Sequence, residues 1–270
     1  MIKVSHLTKR YGPHTAIHDL SFEIAKGEVV GFLGPNGAGK STTIRMLMGL
    51  IRPSSGTISL FGENFQKQGT RLLGRIGAIV EKPDFYLYLS ARKNLELFGK
   101  LSNTDVSARR IDEILELVGL SGRSESKVKT FSHGMKQRLG LAQALLHDPE
   151  LIILDEPTTG LDPKGIKEIR ALINYLSKEK NKTIFHSSHL LYEVEMTCNR
   201  MMIMYKGKAV TTGLVQELLN DRDLHVTWEV DQVEKTDQLI QQSAFGSLVH
   251  KWEGHKLIMH MEQEQIAPMN

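Results

Sequence analysis

Nine consecutive residues near the N-terminus combine glycines, one lysine and two hydroxyl groups in a spacing that suits a polyphosphate. They are Gly34, Pro35, Asn36, Gly37, Ala38, Gly39, Lys40, Ser41 and Thr42. The glycines allow a backbone in which several N–H groups point at one anion, and Lys40 can neutralise β- and γ-phosphate charge. The Ser41 hydroxyl suits Mg²⁺. The pattern predicts a nucleoside triphosphate site; the alternative is a glycine-rich turn that binds nothing.

Two adjacent carboxylates, Asp155 and Glu156, directly follow the apolar run at residues 151–154. A buried strand would carry them to the carboxyl edge of the sheet, where open α/β sheets bind ligands. We expect Asp155 to serve Mg²⁺ from its outer shell and Glu156 to point to the position of an attacking water. The alternative is a pair of solvated acids that opens a loop.

The elements that must position these side chains follow an α/β pattern. Continuous apolar runs predict buried strands at residues 28–33, 76–80, 151–154 and 183–186. Helical spacing of apolar residues predicts helices at 40–50, twice within 90–120, and at 137–146, 164–178 and 190–197. The opening residues alternate as an antiparallel layer, and residues 201–211 form a hairpin pattern. Alternating strands and helices favour a largely parallel sheet.

A third group of motifs carries a family resemblance. The sequence FSHGMKQR at residues 131–138, followed by LGLAQALLHDPELIILDEPTTGLDP, resembles the signature, Walker B strand and D-loop of ABC-transporter ATPase subunits. The resemblance covers about residues 2–215 and implies a P-loop NTPase fold: a RecA-like core, an antiparallel β subdomain and a small helical subdomain at about residues 82–140. Tyr11 matches the aromatic residue that stacks on adenine, His189 the switch histidine and Asp162 the D-loop aspartate.

The same resemblance implies a mechanism and partners. Lys40, Glu156 and His189 would be catalytic, and ATP would bind with Mg²⁺ held by Ser41, Asp155 and Glu81. Two subunits would close head to tail, as a homodimer or with a related ATPase chain, so that each signature reaches the partner's γ-phosphate. Integral-membrane permease subunits are the expected partners, nucleic acid is not, and the expected location is the cytoplasmic face of a bacterial membrane.

Two departures from the family pattern narrow the resemblance. The usual signature is Leu-Ser-Gly-Gly-Gln; here Ser132 and Gly134 remain, while Phe131, His133 and Met135 replace the first, third and fifth residues. Glu81 stands where the family normally has glutamine. Its expected role is that of a magnesium sensor, and the alternative is a structural role only. Both departures resemble the subfamily that serves bacitracin resistance and lantibiotic immunity, which implies an ABC-2-type exporter.

Aromatic residues cluster directly after Glu81. The resemblance assigns Phe85, Tyr86, Tyr88 and Leu89 to a groove that receives a coupling helix of the membrane subunit. The alternative is that these residues form the core of the helical subdomain. Changing Tyr86 and Tyr88 together should uncouple transport while ATPase activity persists.

Composition excludes several classes of protein. The 270 residues are 40% hydrophobic and 24% charged, as in globular proteins, and one cysteine cannot form an internal disulfide. No apolar run approaches the roughly 18 to 20 residues of a membrane span, so another chain should supply the membrane part. A net charge of +3 is too weak to indicate nucleic acid.

A change of composition predicts a domain boundary near residue 220. Residues 1–220 carry 30 basic and 22 acidic side chains, whereas residues 221–270 carry 4 and 9. We therefore expect an ATPase domain at 1–220 and a short accessory α+β segment at 221–270, with two strands flanking a turn at Gly254. Its role is structural, dimer-stabilising or regulatory.

Two other functions compete with transport. A soluble ABC ATPase of translation would usually carry two ATPase domains in one chain, and a DNA-repair member would insert long coiled coils between Lys40 and Asp155; neither feature occurs here. A small-molecule kinase would share residues 34–41 but leaves residues 131–138 and His189 unexplained. The substrate stays open, since membrane subunits select it in this family.

Overall fold

A computed structural model describes residues 1–81, 83–219, 224–241, 243 and 245–261. The strands are β1 Ile2–Tyr11, β2 His14–Ile24, β3 Val29–Leu33, β4 Ser55–Leu60, β5 Glu63–Asn64, β6 Ile76–Ile79, β7 Leu151–Leu154, β8 Thr183–Ser188, β9 Arg200–Tyr205, β10 Lys208–Leu214, β11 Leu224–Glu229, β12 Val249–Glu253 and β13 Lys256–Met261. The helices are α1 Lys40–Leu47, α2 Phe65–Gln68, α3 Ala91–Leu101, α4 Ala108–Leu117, α5 His133–Leu145, α6 Pro163–Lys178, α7 Leu191–Thr197, α8 Val215–Leu219 and α9 Val233–Gln241.

Contacts divide the chain into two compact units, Met1–Val215 and Gln216–Asn270. The division falls inside α8, whereas the change of composition at residue 220 lies outside the described residues. The first unit contains every residue that sequence analysis assigned to the site.

The main sheet of the first unit has the strand order β10-β9-β3-β8-β7-β6. All neighbouring pairs are parallel except β9 with β10, so β3, β7 and β8 all end at the same edge. Each of these three strands is buried along its whole length, which explains the continuous apolar sequence of β3 and β7. This edge is where ligands bind in open α/β sheets.

A second, antiparallel sheet lies beside the main sheet, with the order β2-β1-β4-β5. Its apolar side chains share one core with β3 and α1, including Ile17, Phe22 and Phe32. The strands β4 and β5 and the short helix α2 are absent from the sequence prediction. Only Ile58 and Leu60 of β4 are buried, which is a weak alternating signal for a strand.

Helices α3, α4 and α5 pack on one another and form the helical part of the first unit. Ser90, Ser107 and Ser132 cap their N-termini through side-chain oxygens that accept backbone N–H bonds. The prediction that α5 begins at residue 137 is wrong, because Ser132 starts it four residues earlier, at His133. The predicted start of this subdomain at residue 82 lies outside the described residues.

The second unit contains a three-stranded antiparallel sheet, β11-β13-β12, together with α9. Ile240, Leu257 and Met259 form its small buried core, and the Trp252 indole donates to Asp237 at 2.9 Å. No helix within the described ranges is long and apolar enough to cross a membrane.

Candidate ATP-binding and hydrolysis site

The loop between β3 and α1 requires glycine at specific positions. A Cβ atom on Gly34 would lie 2.5 Å from the Met204 carbonyl oxygen, and one on Gly39 would lie 2.5 Å from Ile17 Cδ1. Gly39 also has a φ of 107°, and Gly37, with a φ of 79°, has nothing within 4 Å of its Cβ position. Close packing against β2 and β9 therefore fixes both ends of the loop, while its middle faces open space.

Lys40 is buried at the start of α1 and folds back over this loop. Its Nζ donates to the carbonyl oxygens of Gly34 at 2.7 Å and Pro35 at 3.2 Å. The same Nζ lies 3.2 Å from Glu156 Oε1. The lysine of the first motif and the second acid of the other motif thus form a direct ion pair.

The other oxygen of the Glu156 carboxylate meets two further side chains. The Thr159 hydroxyl donates to Oε2 at 2.9 Å, and His189 Nδ1 lies 3.1 Å from the same oxygen. Burial alone would raise the pKa of Glu156, but hydrogen bonds from Thr159 and Lys40 and the charge of Lys40 lower it overall. Glu156 is therefore a carboxylate at neutral pH, as a group that polarises water must be.

The backbone at Glu156 is held in an unusual conformation. Its φ is 47°, in the left-handed region that non-glycine residues rarely adopt. Its N–H donates to Ser187 Oγ at 2.8 Å, and the Ser187 hydroxyl donates to Asp155 Oδ1 at 2.6 Å. Ser187 therefore holds both acids. Sequence analysis missed Ser187 and Thr159, although both are hydroxyl residues within three positions of a predicted site residue.

Glu81 follows β6, which lies next to β7, the strand that precedes Asp155, and the Glu81 side chain pairs with Arg45 of α1. Glu81 also has a left-handed φ, of 70°. Ser41, the predicted hydroxyl ligand, lies in the first turn of α1 beside Lys40. The magnesium roles of Ser41, Asp155 and Glu81 stay predictions.

The signature residues lie in a different place from the Lys40 and Glu156 pair. Residues of the signature and the D-loop line a groove of about 1010 Å³ between α5 and α6: Ser132, His133, Gly134, Met135 and Asp162. Ser132 Oγ accepts the Met135 N–H at 3.2 Å, and Asp162 Oδ1 accepts the Gly165 N–H at 3.2 Å, so each caps a helix. The two residues open α5 and α6.

His133 connects the signature to the loop that carries Glu156. Its Nε2 lies 3.3 Å from the Thr159 carbonyl oxygen, while the Thr159 hydroxyl donates to Glu156. A Cβ on Gly160 would lie 3.3 Å from the His133 ring, at a φ of 77°. The replacement of glycine by histidine in the signature therefore creates a contact with this loop.

Tyr11, the predicted adenine-stacking residue, lies at the end of β1 with its side chain half exposed. Lys9 Nζ lies 4.8 Å from the centre of its ring. Strand β2, which forms a hairpin with β1, contacts the phosphate-binding loop where its Ile17 side chain meets Gly39.

The aromatic segment before α3 divides into a buried and an exposed part. Phe85 is buried and meets Phe98 edge-on, so it belongs to the core, the alternative that sequence analysis kept open. Tyr86 and Tyr88 are 55% and 77% exposed. The Tyr86 N–H donates to Asn94 Oδ1 at 2.9 Å, which fixes the backbone of this segment on α3.

Comparisons with known proteins agree with this geometry. The family model for ABC transporter matches residues 17–159. A bacitracin transport ATP-binding protein of Bacillus licheniformis is 47% identical over 95% of this chain and 82% of its own length. A lantibiotic transport ATP-binding protein of Streptococcus pyogenes is 42% identical over 78% of this chain and 89% of its own length. A dimeric ATP-binding cassette, solved in a post-hydrolysis state with ADP and Pi, covers 80% of this chain and 99% of its own, with a TM-score of 0.72 and 25% identity. The expected P-loop NTPase fold is confirmed.

Proposed function

This chain belongs to the ABC transporter family of ATP-binding, ATP-hydrolysing subunits, and from that premise we propose that it powers an exporter of bacitracin-like or lantibiotic peptides. The support for this substrate class is the likeness to proteins named for bacitracin and lantibiotic transport, which extends over more than four fifths of their length. The membrane partner in this proposal is an ABC-2-type permease.

One observation carries the catalytic part of the proposal: Lys40 and His189 each contact one oxygen of the Glu156 carboxylate. Lys40 and backbone N–H groups within residues 36–42 would hold the β- and γ-phosphates. Glu156 would polarise the attacking water, and His189 would support Glu156 and the γ-phosphate. Catalysis then consists of positioning and charge stabilisation.

The donor set fits Mg²⁺ bound together with ATP. Ser41, Asp155 and Glu81 offer oxygen atoms, the ligands that Mg²⁺ prefers. Within the part of the chain that the structure describes, no cluster of three His, Cys, Asp or Glu side chains could hold a metal alone, so phosphate oxygens would complete the shell. The ion would neutralise charge on the γ-phosphate.

We further propose that two subunits close head to tail over ATP. Ser132 and His133 are exposed at the start of α5, where the helix N-terminus favours an anion. Each chain carries both halves of a composite site: Lys40 with Glu156, and Ser132 with Gly134. A homodimer would therefore have two competent sites, and a related ATPase chain could replace either subunit.

The exposed tyrosines Tyr86 and Tyr88 are the proposed contact with the permease, at the cytoplasmic face of a bacterial membrane. Their side chains face outward while Asn94 fixes the backbone beneath them. Replacing both by alanine should therefore remove a contact surface without disturbing the ATP site. Leu101→Ala is a matched control, because Leu101 is a 73% exposed apolar residue on α3 of the same subdomain.

The test is a resistance assay in a strain from which the gene has been deleted. Deletion should lower the inhibitory concentration of bacitracin or a lantibiotic, and the wild-type gene should restore it. Neither the Lys40→Ala gene nor the gene with both tyrosines replaced should restore resistance. The purified double tyrosine variant should nevertheless hydrolyse ATP as the Leu101→Ala variant does. Unchanged peptide sensitivity on deletion would contradict the proposed substrate class.

A further inference from the structure

Glu193 is a buried carboxylate next to the site that no sequence motif singled out. It lies in the first turn of α7, four residues after His189, with a side chain that is 5% exposed. Burying a charged group is costly unless hydrogen bonds satisfy it. The groups that satisfy Glu193 therefore indicate what it does.

Two hydroxyl groups donate to the same oxygen of Glu193. Thr158 Oγ1 lies 2.6 Å from Oε2, and Ser188 Oγ lies 2.9 Å from Oε2. Thr158 is two residues after Glu156, and Ser188 directly precedes His189. One carboxylate oxygen thus joins the loop that carries Glu156 to the strand end that carries His189.

The Ser188 end of this connection also reaches the phosphate-binding loop. The Ser188 carbonyl oxygen accepts the Gly34 N–H at 3.2 Å. The Ser188 hydroxyl in turn accepts the Leu190 N–H at 3.0 Å, which shapes the turn around His189. Fixing Ser188 therefore fixes the positions of His189 and the start of the phosphate-binding loop relative to each other.

The Thr158 end stabilises a backbone that would otherwise relax. Glu156 has a left-handed φ, which persists only when its surroundings hold it. On the N–H side of Glu156, Ser187 Oγ accepts the backbone N–H. On the carbonyl side, Thr158 follows two residues later and donates its hydroxyl to Glu193. Removing Glu193 would free that side and leave two buried hydroxyl groups without their acceptor.

We propose that Glu193 is a positioning residue that holds Glu156 and His189 at hydrogen-bonding distance. The carboxylate of Glu193 acts through Thr158 and Ser188, and it does not take part in the chemistry. This inference rests on the proposed roles of Glu156 and His189 in hydrolysis.

The test compares three variants on α7 by steady-state phosphate release at varied ATP concentration. Glu193→Ala should lower kcat by about 10- to 100-fold, since small misplacements of reacting groups have effects of that size, and should leave the KM for ATP within about twofold. Glu193→Gln should stay within about threefold of wild type, because its neutral oxygen still accepts both hydroxyls. Glu195→Ala, an exposed glutamate on the same helix, is the matched control and should match wild type.

A double-mutant cycle with His189→Ala distinguishes positioning from a loss of stability. If Glu193 acts by holding His189 against Glu156, Glu193→Ala should cost at most about a further twofold once His189 is absent. An equal loss in both backgrounds would overturn the proposal, and so would a Glu193→Ala kcat equal to that of Glu195→Ala. A Glu193→Gln loss as large as that of Glu193→Ala would overturn the acceptor role.

Two further variants keep the test decisive. If Glu193→Ala does not fold, Thr158→Val replaces it as the test, because it removes one hydroxyl donor while keeping the shape of the side chain. Thr158→Val should also lower kcat and leave KM unchanged. An unchanged kcat would overturn the proposal. Glu156→Gln separates this inference from the proposed function. Full activity of Glu156→Gln would refute the catalytic assignment itself, whereas an inactive Glu156→Gln beside a fully active Glu193→Ala would refute only the role of Glu193.

Discussion

Replacing Glu156 by glutamine changes the charge of one side chain while keeping its shape. The amide oxygen can still accept the Thr159 hydroxyl, and Lys40 keeps its bonds to the Gly34 and Pro35 carbonyl oxygens at 2.7 and 3.2 Å. The negative charge 3.2 Å from Lys40 Nζ disappears. The substitution therefore removes the ability to polarise water and leaves the phosphate-binding loop intact.

The expected effects on stability and on rate differ in size. A charged hydrogen bond that becomes neutral loses about 1 kcal/mol, which corresponds to a fall in Tm of about 2–4 °C for a domain of this length. Loss of a general base lowers turnover by about 10²- to 10⁴-fold, or about 3–5 kcal/mol of barrier. The rate effect therefore greatly exceeds what partial unfolding at the assay temperature would cause.

Phosphate release at saturating ATP and Mg²⁺ measures the rate, and a fluorescent ATP analogue measures binding. We expect Glu156→Gln to bind ATP as wild type does and to elute as a dimer on size-exclusion chromatography with ATP. The matched control is Glu150→Gln, which removes the negative charge from a 2.7 Å pair with Arg75 away from the site and should keep full turnover. A Glu156→Gln turnover within tenfold of wild type, with an unchanged Tm, would refute the reasoning.

Two other predictions concern the loop and the core beneath it. Gly34→Ala should lower the free energy of unfolding by about 1–3 kcal/mol and weaken ATP binding, because its Cβ would meet the Met204 carbonyl oxygen at 2.5 Å. Urea unfolding and ATP titration measure these two effects. The control Gly74→Ala, with open space around its Cβ, should change neither quantity. Burial lowers the pKa of His186 to about 4, below its unfolded value, so its contribution to stability is complete above about pH 6.5 and falls as the pH drops towards 4. Urea unfolding should show that the free energy of unfolding falls by about 2 kcal/mol between about pH 7 and pH 5 because of this group. The His186→Gln variant should lack that part of the fall. Equal pH dependence of stability in both proteins would contradict this prediction.

The meeting of Glu156 and His189 is expected from the family resemblance alone; in the structure the two residues follow β7 and β8, which lie side by side in the parallel sheet. The strand at Leu151–Leu154 has the bounds expected from its apolar run, and β8 extends two residues further than predicted, through Ser187 and Ser188. Those two serines are buried although polar, so a hydropathy pattern ends the strand too early. Their burial depends on Asp155 and Glu193, whose positions only the folded chain reveals.

Contacts between distant, polar residues were the least predictable part of the site. The pairing of Arg45 with Glu81 joins α1 to the end of β6, and neither residue belongs to a periodic pattern that would bring them together. The start of α5 was missed for a local reason. Gly134 and His133 are weak helix formers, but Ser132 caps the helix and outweighs their propensity.

The place of β3 in the main sheet has a consequence for the order in which the chain can fold. This strand, which leads into the phosphate-binding loop, pairs with β8 and β9, whose residues follow it by about 150 or more positions. Gly207, later still, donates its N–H to the Ala38 carbonyl oxygen of the loop at 2.9 Å. During synthesis from the N-terminus, β3 therefore has no neighbour in its own sheet until most of the first unit has left the ribosome. High contact order of this kind slows folding and prolongs exposure of apolar strands, so the nucleotide site forms as one of the last events of domain folding.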